Sequence, residues 1–114
     1  MGRFRRGDVL LAKVHIGNRY SSKTRPVIVA DVRNDGMLQV YPVSSHPPSD
    51  SGYSEVDIFD FAEGGLDLFE ESFALTSEPS FLQPGDVIAK KGRLTVEALE
   101  RIAPMYIRNV RQNR

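Results

Sequence analysis

Lys23-Thr24-Arg25-Pro26-Val27-Ile28-Val29-Ala30 is the stretch that decides how this chain is read. Its second half is an apolar run of strand length, rich in β-branched side chains that suit a pleated surface. Its first half is polar and basic. Pro26 lacks an N–H, so it suits the start of a strand better than the middle. It also drives Arg25 towards extended backbone. Arg25 is therefore expected where a loop enters a sheet, with its guanidinium held by the strand and facing solvent.

The flanking sequence continues in short β elements. Asp8 to Val14 reads as a first strand and Pro26 to Val32 as a second. Between them, His15 to Thr24 reads as a polar loop with its turn at Gly17-Asn18. Asn34-Asp35-Gly36 forms a tight hairpin turn, since Asp-Gly readily supplies positive φ. The third strand, Met37 to Val43, then pairs antiparallel with the second. Ser44 to Gly52 is a loop, and Ser54 to Phe61 is a fourth strand near an edge because of its acidic positions. Glu63-Gly64-Gly65 ends it. Ser72 to Thr76 is a short fifth strand, Glu78 to Gly85 a turn, and Asp86 to Lys90 a sixth strand stopped by Gly92. Thr95 caps a terminal helix that carries Leu99, Ile102, Ala103, Tyr106, Ile107 and Val110 on one face. Pro104 should break that helix. The expected fold is mainly β with a terminal α-helix: a small SH3-like barrel of short, strongly bent antiparallel strands.

The 114 residues support one domain over 1–114 with a modest core, and the apolar fraction of 40% suffices for a globular fold. There is no cysteine, which excludes disulfides and thiolate metal sites. Two histidines, His15 and His46, do not make a metal cluster, so neither metal nor cofactor is expected. No apolar run is long enough to span a membrane, and no signal-peptide core follows the basic N-terminus. A soluble, cytoplasmic protein is the expectation.

The net charge of zero conceals segregation. Residues 1–33 carry eight Lys/Arg against Asp8 and Asp31. Residues 34–83 carry ten Asp/Glu and no Lys or Arg. Residues 84–114 carry seven Lys/Arg against Asp86, Glu97 and Glu100. If the two ends meet, they build a basic face suited to phosphates or an acidic partner; if the charges interleave in space, they cancel.

Three pieces, in order, carry a likeness: Arg6-Gly7-Asp8-Val9-Leu10, Thr24-Arg25-Pro26-Val27-Ile28-Val29, and Val40-Tyr41-Pro42-Val43-Ser44-Ser45. The tail from Lys91-Gly92-Arg93-Leu94-Thr95 to Ile102 adds to it. Together they resemble the MazF/PemK (Kid-type) toxins of type II toxin–antitoxin systems, over nearly the whole chain. That resemblance implies a homodimeric, metal-independent endoribonuclease that cuts single-stranded RNA and is neutralised by a cognate antitoxin. It makes Arg25, the arginine before the proline, and Ser44, the hydroxyl after the third strand, catalytic residues.

The residue types suit that chemistry. Metal-free RNA cleavage turns the 2′-OH on the neighbouring phosphate and needs a base, an acid and cationic support for the phosphorane. Arg25 offers a planar donor fork, and Ser44 a positioning hydroxyl, with Ser45 beside it. Arg19, Tyr20, Lys23 and Thr24 are the expected RNA contacts. The glutamate that many family members carry before the Arg-Pro step is missing; the region reads Asn18-Arg19-Tyr20-Ser21-Ser22. The Asp and Arg that other members use on the fifth strand are replaced by Ser77 and Leu75. His15 and Glu78 are the remaining candidates for the base. The alternative reading is a catalytically inactive barrel that binds RNA or a protein.

Overall fold

A computed structural model describes residues 4–14, 23–46, 52–65, 72–77 and 79–104. Its strands are β1 (Asp8–Val14), β2 (Lys23–Val32), β3 (Leu38–Ser44), β4 (Ser54–Val56), β5 (Phe61–Gly64), β6 (Ser72–Ala74), β7 (Ser80–Leu82) and β8 (Val87–Leu94). One helix, α1 (Val96–Ile102), follows them. All strand pairs are antiparallel, in the order β4-β6-β3-β2-β1-β8-β5, with β7 beside the first half of β3. The fold is mainly β, a curled half-barrel with a C-terminal helix.

The curl follows from the connections. β7 and β8 lie at opposite edges of the run β7-β3-β2-β1-β8, yet a single 3-10 turn over Pro84–Asp86 joins them. The sheet must therefore bend round on itself. One face supplies the barrel interior: Leu10, Ala12 and Val14 from β1, Val27 and Val29 from β2, Leu38 and Val40 from β3, and Leu82 from β7. Alternation sends Val9, Ile28 and Val43 to the other face, where they meet Val56, Ala74, Leu94 and the helix residues Ala98 and Ile102. Strands buried on both faces lose the polar/apolar alternation, which is why β1 and β2 read as near-continuous apolar runs.

α1 begins as the sequence indicates. Thr95 Oγ1 accepts from the Ala98 N–H at 3.1 Å, and Glu97 sits in the first turn. The helix stops at Ile102, ahead of Pro104, and the continuation from Tyr106 to Val110 lies outside the described residues. The hairpin turn also holds, in a three-residue form. Gly36 alone takes positive φ, +90°, and its N–H bonds the Arg33 carbonyl at 3.0 Å. Asp35 contributes its carboxylate to the Met37 N–H instead.

Several expected boundaries move. β2 starts at Lys23, so Pro26 lies inside it. From Lys23 to Pro26 the strand pairs with β1 alone, and such an edge tolerates proline. The expected fourth strand divides: a 3-10 turn over Ile58–Asp60 separates β4 from β5 and sends the chain across to β8. The expected turn over Glu78 to Gly85 contains β7, which pairs with Leu38 to Val40.

Gly64 ends β5 as expected, but Gly92 does not stop β8: it lies inside that strand, and the two glycines are partners across the β5–β8 ladder. A Cβ on Gly92 would lie 2.3 Å from the Glu63 carbonyl oxygen, and one on Gly64 2.2 Å from that of Lys91. Glycine stands here because two backbones touch. Gly92→Ala should therefore destabilise by about 2 kcal/mol or more. Urea unfolding should show it as a lower midpoint; Gly85→Ala, with open space around it, is the control.

The two basic ends do meet, since β1 pairs with β8, but they do not make a uniformly basic face. Arg93 contacts the Asp8 and Glu63 carboxylates, and Lys90 also reaches Asp8. Arg101 pairs with Asp60. Arg6 donates to the carbonyls of Ala30 and Ala103. Much of the segregated charge is thus used in stitching distant segments together.

Candidate active site

β2 presents Arg25 on the same face as Val27 and Val29, so it stands at the rim of the barrel interior. Arg25 is half-buried and paired through its backbone with Ala12 of β1. The ladder between β2 and β3 ends at Val27 and Pro42. Beyond it the two strands no longer pair: Arg25 keeps β1 alone, and Ser44 pairs with Phe73 of β6. The two residues singled out from the sequence, 19 positions apart, each lie two residues past the last pair of one hairpin.

Ser44 ends β3. Its Oγ accepts the His46 N–H at 3.2 Å, closing a short serine turn. The hydroxyl proton remains available to a phosphate oxygen or a 2′-OH. Ser45 Oγ lies 3.1 Å from Nδ1 of His46. If Nδ1–H donates to Ser45, Nε2 keeps a free lone pair; in the other tautomer Ser45 donates and Nε2 carries the proton. An imidazole thus stands beside the Ser44-Ser45 pair, ready to take or give a proton.

The sequence treats His46 as a loop residue because Pro47-Pro48 follows. The signal that points to it is local: two hydroxyl residues immediately before a histidine at a strand end. Lys23 and Thr24, also in β2, are exposed, as is Lys13 across the β1–β2 ladder from Thr24. Among the described residues none of Lys13, Lys23 and Arg25 has an ion-pair partner, unlike Lys90, Arg93 and Arg101. This end of the sheet therefore carries three cations open to an anion; elsewhere among the described residues Arg5 and Lys91 also lack an ion-pair partner. His15, Arg19, Tyr20 and Glu78 lie outside the described residues.

Phe4 packs against the barrel core. Tyr53 meets the Phe73 ring edge-on, with centroids 5.3 Å apart, and lines a groove with Ser54, Glu55, Asp57, Asp60 and Arg101. With three carboxylates to one guanidinium already paired to Asp60, that wall would repel a nucleic acid. The groove, about 600 Å³, lacks Arg25, Ser44 and His46. Among the described residues no group of three His, Asp or Glu side chains is placed to hold a metal ion, and no helix is long and apolar enough to cross a membrane. No protein-family model matches the chain, and no curated protein matches it.

Proposed function

We propose that this protein is a metal-independent endoribonuclease acting on single-stranded RNA, and the toxin of a toxin–antitoxin pair. The observation that supports the reading is that Arg25 and Ser44 each lie two residues past the last β2–β3 pair, Val27 with Pro42, with the His46 imidazole two residues beyond Ser44. The ordered motifs of the sequence supply the toxin assignment, and with it a homodimer and an antitoxin partner.

In this reading the 2′-oxygen attacks the adjacent phosphorus and the bond to the 5′-oxygen breaks. The products are a 2′,3′-cyclic phosphate and a 5′-OH. His46 takes the 2′-OH proton through Nε2, and a proton passes to the departing 5′-oxygen from solvent or a second acid. Arg25 supports the charge on the phosphorane through its donor fork. Ser44 holds a non-bridging oxygen. Lys13 and Lys23 neutralise flanking phosphates.

One observation favours the alternative of an inactive barrel that binds RNA or a protein. Among the described residues no carboxylate pairs with Arg25. A single experiment separates the two. Labelled single-stranded RNA incubated with the protein in EDTA should yield fragments with cyclic or 3′-phosphate and 5′-OH ends. Cleavage that requires added magnesium would overturn the mechanism. Retention of intact RNA, or no contact with RNA at all, would leave the binding module. Growth arrest on induction, relieved by a co-expressed antitoxin, tests the toxin assignment.

A further inference from the structure

The 3-10 turn over Ile58–Asp60 presents an unusual combination. Its backbone is locked, yet the side chains it displays are apolar. Asp57 Oδ1 accepts the Phe59 N–H at 2.7 Å, and Asp60 Oδ2 accepts the Asp57 N–H at 2.9 Å. The Asp60 carbonyl accepts the Thr95 N–H at 2.8 Å, which ties the turn to the start of α1. Arg101, from the last turn of α1, bonds the Asp60 carboxylate at 2.9 Å and the Glu55 carbonyl at 3.0 Å. These bonds fix the turn at both ends and from behind.

The side chains so fixed face water. Phe59 is 87% exposed and Ile58 59%; Val96, first residue of the tethered helix, is 73% exposed. A mobile loop can fold its apolar residues inward, but this turn cannot. An aromatic ring held outward by a network of this kind is preorganised for a pocket on another molecule.

The surroundings state the charge of that molecule. Glu55 and Asp57 line the adjoining groove, and Glu97 and Glu100 stand on the exposed face of α1. Among the described residues no cation pairs with any of these four. Arg101, which lines the same groove, is engaged by Asp60. RNA and anionic membrane would be repelled here. A second copy placed by a two-fold axis would bring the same acidic patch against itself.

We infer that the surface formed by Ile58, Phe59, Val96 and the groove beside them docks a basic segment of another protein. Phe59 is the apolar anchor, and partner Lys or Arg side chains enter the groove between Tyr53 and the Glu55 and Asp57 carboxylates.

The test uses the full chain and a fluorescein-labelled peptide of alternating arginine and leucine, followed by anisotropy. The peptide should bind, more weakly as salt rises, and the same peptide with glutamate for arginine should not. Phe59→Ala should weaken binding at least about tenfold. Its thermal stability should hold, because the ring touches solvent rather than core. Glu55→Gln with Glu97→Gln and Glu100→Gln should flatten the salt dependence. Equal binding by parent and Phe59→Ala would overturn the inference. So would light scattering in which Phe59→Ala converts a dimer to a monomer, since a second copy would then be the occupant.

Discussion

Arg25→Ala should cut RNA at a rate lower by roughly 100- to 1000-fold, the usual consequence of losing one preorganised donor to a developing anion. RNA affinity should fall far less, because Lys13 and Lys23 remain at the same end of the sheet. A donor that acts chiefly on the transition state changes the rate constant when it is removed, and the dissociation constant much less. Single-turnover cleavage and separate anisotropy titrations measure the two. Arg25→Lys should also be poor, since a point charge cannot reproduce the fork. Ser44→Ala should lose less, because a neutral positioning hydroxyl contributes less than a guanidinium.

His46→Ala tests the proton acceptor within the same series. It should slow cleavage. A variant that cleaves at the parent's rate would move the base elsewhere and leave Arg25 untouched. The fold is the control. Arg25 is half-buried at a strand end, and its backbone pairing with Ala12 survives the substitution. If Arg25→Ala cleaves like the parent, the catalytic reading fails and the binding module replaces it.

The hairpin that carries this site was legible because its signals are local. The β-branched run from Val27, the Asp35-Gly36 turn and the apolar Val40 to Val43 fix two strands and their pairing. Arg25 and Ser44 each stand two residues past the last pair of that register. Thr95 marked the helix start for the same reason, a cap being an interaction between near neighbours. What stayed hidden depends on residues far apart in sequence. Gly92 looks like a terminator until Gly64 is seen across from it. β7 is three residues long and has no pattern of its own; it is a strand because β3 offers it an edge. The 3-10 turn at Ile58 interrupts an alternating run, and its lock comes from Thr95 and Arg101, far along the chain. His46 failed to stand out because a histidine before two prolines looks like a loop until its ring is found beside Ser45.

Asp8→Ala should be the most destabilising single change at a charged residue, by about 3 kcal/mol. Asp8 is the one buried charged side chain among the described residues. Its Oδ2 accepts the Arg5 N–H at 2.8 Å, and its Oδ1 faces Arg93 Nε at 3.2 Å and Lys90 Nζ at 3.4 Å. The carboxylate thus joins the N-terminal turn to β8 at the seam that closes the sheet. Removing it strands an N–H and leaves two cations facing one another without their counter-charge, which costs more than the pair itself contributes. The melting temperature should fall by about 10 °C or more, and the urea midpoint should drop with the slope unchanged. Asp8→Asn keeps an acceptor for Arg5 and should lose less than Asp8→Ala. Adding Arg93→Met to Asp8→Ala should recover part of the loss, because it removes one of the orphaned cations. Additive losses in that double mutant would mean that the carboxylate acts through the Arg5 turn alone, with no energetic link to β8.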